Sequence, residues 1–358
     1  MLVHICCSVD SHFFLQKLQI AYPQEKLVGF FYDPNIHPWS EYQLRLFDVK
    51  RSCEKLGIAL HVGEYDVEAW LEAVRGLEEE PEKGKRCAIC FDNRLMRSAK
   101  KALELGEKSL TTTLLTSPKK SFQQLANSLQ TIAETYGLKS VAPDFRKAGG
   151  TQEQFALAKA SHLYHQDYCG CLFALFQQRE AQERWKDELC TPLRPQVLPS
   201  SIEARLELYE RVVAYEASHT PFTLIRESFL NYRLVQAWVK PKDKEVVPSY
   251  VLFYSTCKKE RVKGSIEFQR NGMGYFSKET IRFICLHTFN THMKTNYTSV
   301  KALLFEPPSV EAEIALRTKL LASPFSLTPI IVLDEVSLGA YEVHLSSKIY
   351  SDIREVLA

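Results

Sequence analysis

LVHICCSVDSHFFLQKL, Leu2 to Leu18, decides how this chain is read. An apolar run, Leu2 to Ile5, leads into Cys6 and Cys7. A short polar turn is expected at Ser8 to Ser11, followed by a helical pattern carrying Phe13, Phe14, Leu15 and Leu18. Strand, turn and helix at the start of an α/β chain is where nucleotide-binding folds place a glycine-rich phosphate loop. Here two thiols stand where glycines would let backbone N–H groups approach a phosphate. The position is kept and its chemistry is changed.

Outward from this stretch the pattern alternates. Strand-like runs fall at Leu2–Cys6, Leu27–Tyr32, Ile58–Val62, Ser109–Leu115 and Lys139–Ala142. Helix-like runs fall between them, at Phe13–Ala21, Glu41–Leu56, Val67–Leu77, Ala88–Leu105 and Ser121–Tyr136. Gly57 and Gly137 close two of these helices, as glycine commonly does. Such alternation predicts a Rossmann-like α/β domain, a parallel sheet flanked by helices, over 1–190. Ligands on such a sheet gather at the carboxyl ends of the strands, where Cys6, Cys7, Asp10 and the segment after Tyr32 would meet. A further helix is expected at Leu172–Leu189. TPLRPQVLPSS, Thr191 to Ser201, has three prolines and reads as a linker. Beyond it, 202–358 reads as an added C-terminal α+β domain: a helix at Ile202–Ala217, then the strand-rich text SYVLFYSTC, SIEFQR, MGYFS and PIIVLDEV.

The 358 residues suit two domains. A hydrophobic content of 45% and charged content of 25% are ordinary for a globular protein. The formal net charge of +2 calls for no polyanion partner, although a local basic face would serve one. From Thr191 onward there are 21 Lys and Arg against 18 Asp and Glu, so the basic excess lies in the second half. No apolar run nears the roughly 20 residues that span a bilayer, and no export signal is visible. The expectation is a cytoplasmic protein without membrane contact, whose ten cysteines are thiols or metal ligands.

Six of those cysteines form three close pairs: Cys6–Cys7, Cys87–Cys90 and Cys169–Cys171. Cys53, Cys190, Cys257 and Cys285 are isolated and read as small buried hydrophobes. A redox dithiol at Cys87 and Cys90 would leave the other two pairs unexplained. Six soft ligands brought together suit zinc or an iron–sulfur cluster. With Asp10 they exceed the four of a structural zinc or a single cubane, which points to a cluster plus a second metal. Arg86 beside Cys87 would favour thiolate, and Gly170 would let two ligands turn toward one centre.

The stretches HICCSVDS, YDPNIHPWSEYQLR, KRCAICFDNRL, TTTLLTSPKKSF and DFRKAGGTQEQFALAKASHLYHQDYCGC, in that order over about Met1 to Arg179, resemble the QueH family of epoxyqueuosine reductases. The resemblance implies reduction of the epoxide of epoxyqueuosine at the tRNA wobble position, the last step of queuosine synthesis. It implies a [4Fe-4S] cluster beside a separate mononuclear iron, with no cobalamin. The metal ligands it implies are Cys6, Cys7, Asp10, Cys87, Cys90, Cys169 and Cys171. The family's commoner Ala-Pro after the paired cysteines is Ser8-Val9 here, which leaves the ligand positions intact. The resemblance is not expected to extend past the linker.

Opening an epoxide to an alkene takes two electrons, and one [4Fe-4S] cluster ordinarily supplies one at a time. A second metal, redox-active or Lewis-acidic, meets that need, and Asp10, a hard oxygen among sulfurs, suits it. The electron donor is unidentified. For protons, Asp167, Tyr168, His165 and His37 lie near these motifs, each equally readable as a wall residue. Asn35, His37 and Trp39 follow the second strand and would line a base pocket, with Trp39 and Tyr168 as stacking aromatics. Lys119, Lys120, Arg146 and Lys147 are candidates for the tRNA backbone. So is the run Lys258-Lys259-Glu260-Arg261-Val262-Lys263, although short charge runs are usually solvated faces. Two other readings stand beside the reductase. CCSVDS aligns with the SGGxDS loop of PP-loop tRNA thiolases, some of which hold iron–sulfur clusters, and the cysteines would also suit a zinc-stabilised RNA-binding module.

Overall fold

The computed structural model describes residues 1–190 and 196–358, in two compact units, Met1–Lys186 and Asp187–Ala358. Of the expected linker, Thr191 to Ser201, residues 191–195 lie outside the described residues.

The first unit runs β1 (Leu2–Ile5), α1 (Ser8–Ala21), β2 (Val28–Phe31), α2 (Trp39–Lys55), β3 (Ala59–Val62), α3 (Val67–Ala73) and α4 (Lys85–Glu104). It continues with β4 (Ser109–Thr112), α5 (Phe122–Thr135), β5 (Lys139–Ser140), α6 (Gly150–Ala160) and α7 (Leu172–Ala181). The sheet is parallel throughout, in the order β3-β2-β1-β4-β5. Central β1 is buried along its whole length, which is why it reads as an apolar run broken only by His4. His4 is satisfied there by Thr112 Oγ1 at 2.8 Å and the Tyr32 carbonyl at 3.2 Å. Burial, then the nearby Arg94 charge, holds its imidazole well below the usual range. The chain leaves β1 toward β2 on one side and returns to β4 on the other. The loops after β1 and β4 therefore part and open a crevice at the carboxyl edge.

Three local expectations are corrected. The polar turn at Ser8–Ser11 is already the first turn of α1, entered from an extended Cys7. Asp10 in that first turn is favoured by the helix dipole. The helix expected at Leu172–Leu189 stops at Ala181, where Glu183 takes φ 51° and Arg184 N–H bonds back to the Arg179 carbonyl at 2.8 Å, a left-handed termination. Helix α6 was not anticipated; it follows Gly149 at φ 84°.

The second unit opens on α8 (Ile202–Ala217), at its expected bounds, with Ser201 Oγ accepting from the Ala204 N–H at 3.1 Å. Then follow β6 (Leu224–Pro241), β7 (Tyr250–Val251), β8 (Arg261–Arg270), β9 (Met273–Phe276) and β10 (Arg282–Cys285). After them come α9 (Leu286–Met293), α10 (Val300–Phe305), α11 (Val310–Leu321), β11 (Ile330–Leu333) and β12 (Gly339–Leu357). The sheet order is β6-β12-β8-β9-β10-β11-β7, and Val239 of β6 bridges to Val247, on the segment just before β7. One face encloses a core of Val239, Val262, Phe276, Phe283, Ile331 and Val343; the other, at β10 and β11, packs under α9 to α11. The long pair β6 and β12 was not legible as strands, being only half-buried. SYVLFYSTC forms a strand only at Tyr250–Val251, because Phe253 spends its backbone groups on side chains of α11. Its N–H donates to Glu313 Oε2 at 2.7 Å, and its carbonyl accepts from Arg317 Nε at 2.8 Å.

Glu313 is fully buried, and burial, resisted by its bonds to Tyr250 and Phe253, pushes its carboxyl up to about 7. The folded chain thus holds this proton more tightly than the unfolded chain. The stability from Glu313 is full below its unfolded value near 4.5 and is lost as pH rises through about 7, an effect of roughly 3 kcal/mol. The thermal midpoint of the second unit should fall over that window, and Glu313→Gln should flatten the fall; an equal slope in both proteins refutes the assignment.

Candidate metal centre

Each cysteine pair reaches the crevice by a different route. Cys6 and Cys7 cross from β1 into α1, with their sulfurs 3.7 Å apart. Cys6, Cys7 and Asp10 place one ligand atom each within 4.8 Å of one another, all buried. Helix α4 presents Cys87, Cys90 and Arg94, spaced three and seven residues apart and hence on one buried face. Cys169 arrives on the segment before α7. At Gly170, φ is +100° and a Cβ would lie 2.9 Å from Ile36 Cγ1, so only glycine makes this turn.

Cys6, Cys7, Asp10, Cys87, Cys90 and Cys169 all line one cavity of about 270 Å³, together with Asp33, Asn35, Arg45, Arg94, Lys120 and Tyr168. Cys171 stands behind this wall, packed with Trp70, Cys90 and Ala174. It is hydrogen-bonded to Cys169; that bond, then Lys120 and Arg45, pulls the Cys169 thiol well below its usual range against burial. The same bond and burial push Cys171 up. Cys7 is pushed up by its hydrogen bond with Cys6, then by burial and Asp10. Burial raises Asp10 to about 6, against hydrogen bonds from Cys7 and Gln154, whose Nε2 donates to Asp10 Oδ1 at 2.7 Å. Thiols and a carboxyl driven toward their neutral forms by burial are groups that a cation would hold ionised.

The cations of the pocket are not the one expected. Arg86 is buried, but its guanidinium donates to the Leu77 and Glu78 carbonyls and lies over the Phe173 ring. Arg94 fills the expected role, paired with fully buried Asp33 and held charged, against burial, by Asp33, Cys90 and Cys6. Burial lifts Asp33 to about 6 despite Arg94 and Arg45. Lys120, over the Phe91 ring at 5.9 Å, faces the cavity, and burial fails to lower it because Cys169, Cys87 and Cys90 favour its charge. Arg45, bound to Glu41 at 2.7 Å and to the Tyr168 carbonyl at 3.0 Å, also lines the cavity, as does exposed Lys119, whose Nζ donates to the Asp167 carbonyl at 3.4 Å. Arg94 was discoverable from its helical spacing to Cys87 and Cys90, whereas Arg45, Asp33 and Gln154 carried no sequence signal. Replacing Arg94 with Met takes from buried Asp33 its ion-pair partner and leaves a carboxyl that burial drives toward its neutral form with its hydrogen bond lost. A loss of about 3–5 kcal/mol in denaturant titration is expected, with most of it restored when Asp33→Asn is added; full stability of the single variant would contradict this.

The other candidates divide. Asn35 is 3% exposed, lines the cavity and has Oδ1 without a partner. Tyr168 lines it too, with its hydroxyl donating to the His37 carbonyl at 2.6 Å. Asp167 and His165 are at the wall, with both Asp167 oxygens held by Arg179 Nη2 at 3.0 Å. His37 and Trp39 are not in the lining. Trp39 is 50% exposed and stacks on Tyr42 at 4.9 Å. Arg146 also lies outside the lining, bound to the Lys120 carbonyl at 3.1 Å, and exposed Lys147 faces Asp144 at 3.9 Å. Of the isolated cysteines, Cys53 is buried as expected, while Cys190, Cys257 and Cys285 are only partly so. Among the described residues no helix is long and apolar enough to cross a membrane.

The sequence model of the family described as epoxyqueuosine reductase QueH matches residues 1–177. An epoxyqueuosine reductase QueH of Helicobacter pylori is 43% identical over 349 residues, covering 94% of this chain and 94% of that protein. Similarity therefore runs past residue 201, contrary to the expectation that it would stop at the linker. A second such protein, from Thermotoga maritima, is 37% identical over 183 residues, 50% of this chain but 92% of its own. Among solved structures, the U34-tRNA thiolase NcsA from Methanococcus maripaludis with its [4Fe-4S] cluster gives a TM-score of 0.33 at 14% identity, covering 60% of this chain and 73% of that one. That likeness is too loose to bear on function. With a relative this similar along its whole length, the chain belongs to the QueH family of epoxyqueuosine reductases, which are oxidoreductases.

Proposed function

We propose that this chain reduces the epoxide of epoxyqueuosine at the wobble position of tRNA to queuosine, in the cytoplasm, with electrons from a separate donor. The observation that carries the reading is the convergence of five cysteines and Asp10 on one cavity at the carboxyl edge of the sheet. That donor set fits a [4Fe-4S] cluster held by cysteine sulfurs and a separate iron that takes the Asp10 carboxylate. Candidate ligands are Cys6, Cys7, Asp10, Cys87, Cys90, Cys169 and Cys171. When bound, the two metals supply the two electrons and a Lewis-acidic position.

The chain's own residues do the rest. Gln154 fixes the orientation of Asp10 from behind, as outer hydrogen bonds fix metal ligands. Arg94, Arg45 and Lys120 offset the anionic charge of a thiolate-rich wall. Asn35, a cavity residue whose Oδ1 has no partner, would accept from the N–H edge of the incoming base, and Tyr168 would give that base an aromatic wall. The departing oxygen takes up two protons. Lys120 Nζ, with no ion-pair partner among the described residues, is placed to give one, while Asp167 and Tyr168 are positioned by Arg179 and the His37 carbonyl.

The test is an anaerobic preparation analysed for iron, sulfide and absorbance, then offered tRNA bearing epoxyqueuosine. Loss of the epoxide without cobalamin is expected. A colourless protein with one zinc and no sulfide, or one that binds ATP instead, would sink the proposal.

A further inference from the structure

On the strands of the second unit, one face points into the core and the other points out. Val239, Val343 and Val262 are cross-strand partners and buried, as are Phe276 and Phe283. Their sequence neighbours therefore face the opposite way. Two rows of side chains run across that outer wall. In the first, Trp238, His344 and Arg261 are successive partners on β6, β12 and β8. The indole and imidazole stack at 5.4 Å and 13°, and the Arg261 guanidinium lies 5.9 Å from the indole. In the second, Phe268, Tyr275 and Arg282 are partners on β8, β9 and β10. Their rings stack at 4.5 Å and 10°, and Arg282 lies 4.4 Å from the tyrosine ring. Phe268 is 51% exposed.

Charge on this wall is one-sided. Lys240, Arg261, Lys263, Arg270 and Arg282 occupy register-paired outward positions, against Glu342 and, at the bulge just before Phe268, the exposed Glu267. Glu342 takes Arg261 directly and Lys263 at 3.9 Å, which leaves the wall cationic. Cross-strand ring pairs help to hold a sheet, but sheet stability gives no reason to gather five cations around them. Flat aromatic faces interleaved with arginine and lysine are what unpaired nucleotides require: rings to stack on and cations for the phosphates.

We infer that the outer wall of β6, β12, β8 and β9 is an RNA-docking surface that takes loop or single-stranded segments of the tRNA substrate. This rests on the tRNA reading of the activity. It also gives the second unit a task that the 183-residue match to the Thermotoga maritima protein leaves open. The short run Lys258–Lys263, read as a solvated face, supplies part of the wall only through alternate residues. Arg261 and Lys263 point outward, while Val262 is buried between them.

Two full-length variants test this with tRNA alone as the probe. Lys240→Gln/Lys263→Gln/Arg270→Gln should weaken tRNA binding about tenfold and lower the slope of log affinity against log salt by roughly one for each phosphate no longer neutralised. Phe268→Ala/Tyr275→Ala should weaken binding by a similar factor with the slope kept, because stacking is removed and every charge stays. Thermal midpoints check folding, and in turnover the loss should appear in KM. Unchanged tRNA affinity and slope in both folded variants overturn the inference, whatever other macromolecule uses the wall. If wild-type protein binds tRNA through these residues yet leaves epoxyqueuosine intact, the activity reading fails and the docking surface stands.

Discussion

Cys7→Ser is expected to fold and to lose both iron and activity. Cys7 is the extended residue that caps α1, and serine is a better cap than cysteine, its hydroxyl accepting from the first free N–H groups. The local structure is therefore kept or improved while a soft sulfur is exchanged for a poor ligand. Turnover should fall on the order of a thousandfold, about 4 kcal/mol on the barrier, together with iron and acid-labile sulfide content. Serine retaining full iron and turnover would show that Cys7 holds no metal. The metal-free variant should melt no lower than metal-free wild type, which separates ligand loss from unfolding.

Asp10→Ala makes a different signature. With Cys6 and Cys7 it forms the one cluster of three ligand atoms within 4.8 Å among the described residues, and it is the only oxygen in that cluster. If it holds the separate iron, alanine should leave most of the cluster absorbance and sulfide, remove about one iron per chain, and cut turnover on the order of a thousandfold or more. Turnover that survives removes Asp10 from the mechanism. Bleaching of the whole spectrum would instead assign Asp10 to the cluster.

Much of the first unit was legible because its signals are local. A strand buried on both faces is an apolar run, a helix against the sheet repeats its apolar residues every three or four positions, and glycine ends helices. Leu2–Ile5 and the buried face of α4 followed those rules. The starts and ends of elements did not. Nothing in SVDS distinguishes a turn from a first helical turn, and the end of α7 depends on a left-handed Glu183. In the second unit β6 and β12 were hidden because neither is buried along one face for its whole length, so their alternation is blurred by exposed Leu230, Leu234 and Ile353.

The sequence by itself determined the soft-ligand chemistry, since cysteines in three pairs keep their identity whatever the fold does with them, and it determined the parallel α/β class. Only the tertiary structure decided that Cys6, Cys7, Cys87, Cys90 and Cys169 share one cavity while Cys171 stands behind it. It decided too that Arg94 rather than Arg86 is the cation among them, paired with Asp33 some sixty residues away. The physical reason is range. Residue type and periodicity act over a few neighbours, whereas burial and charge act through space, between groups that only strand order brings together.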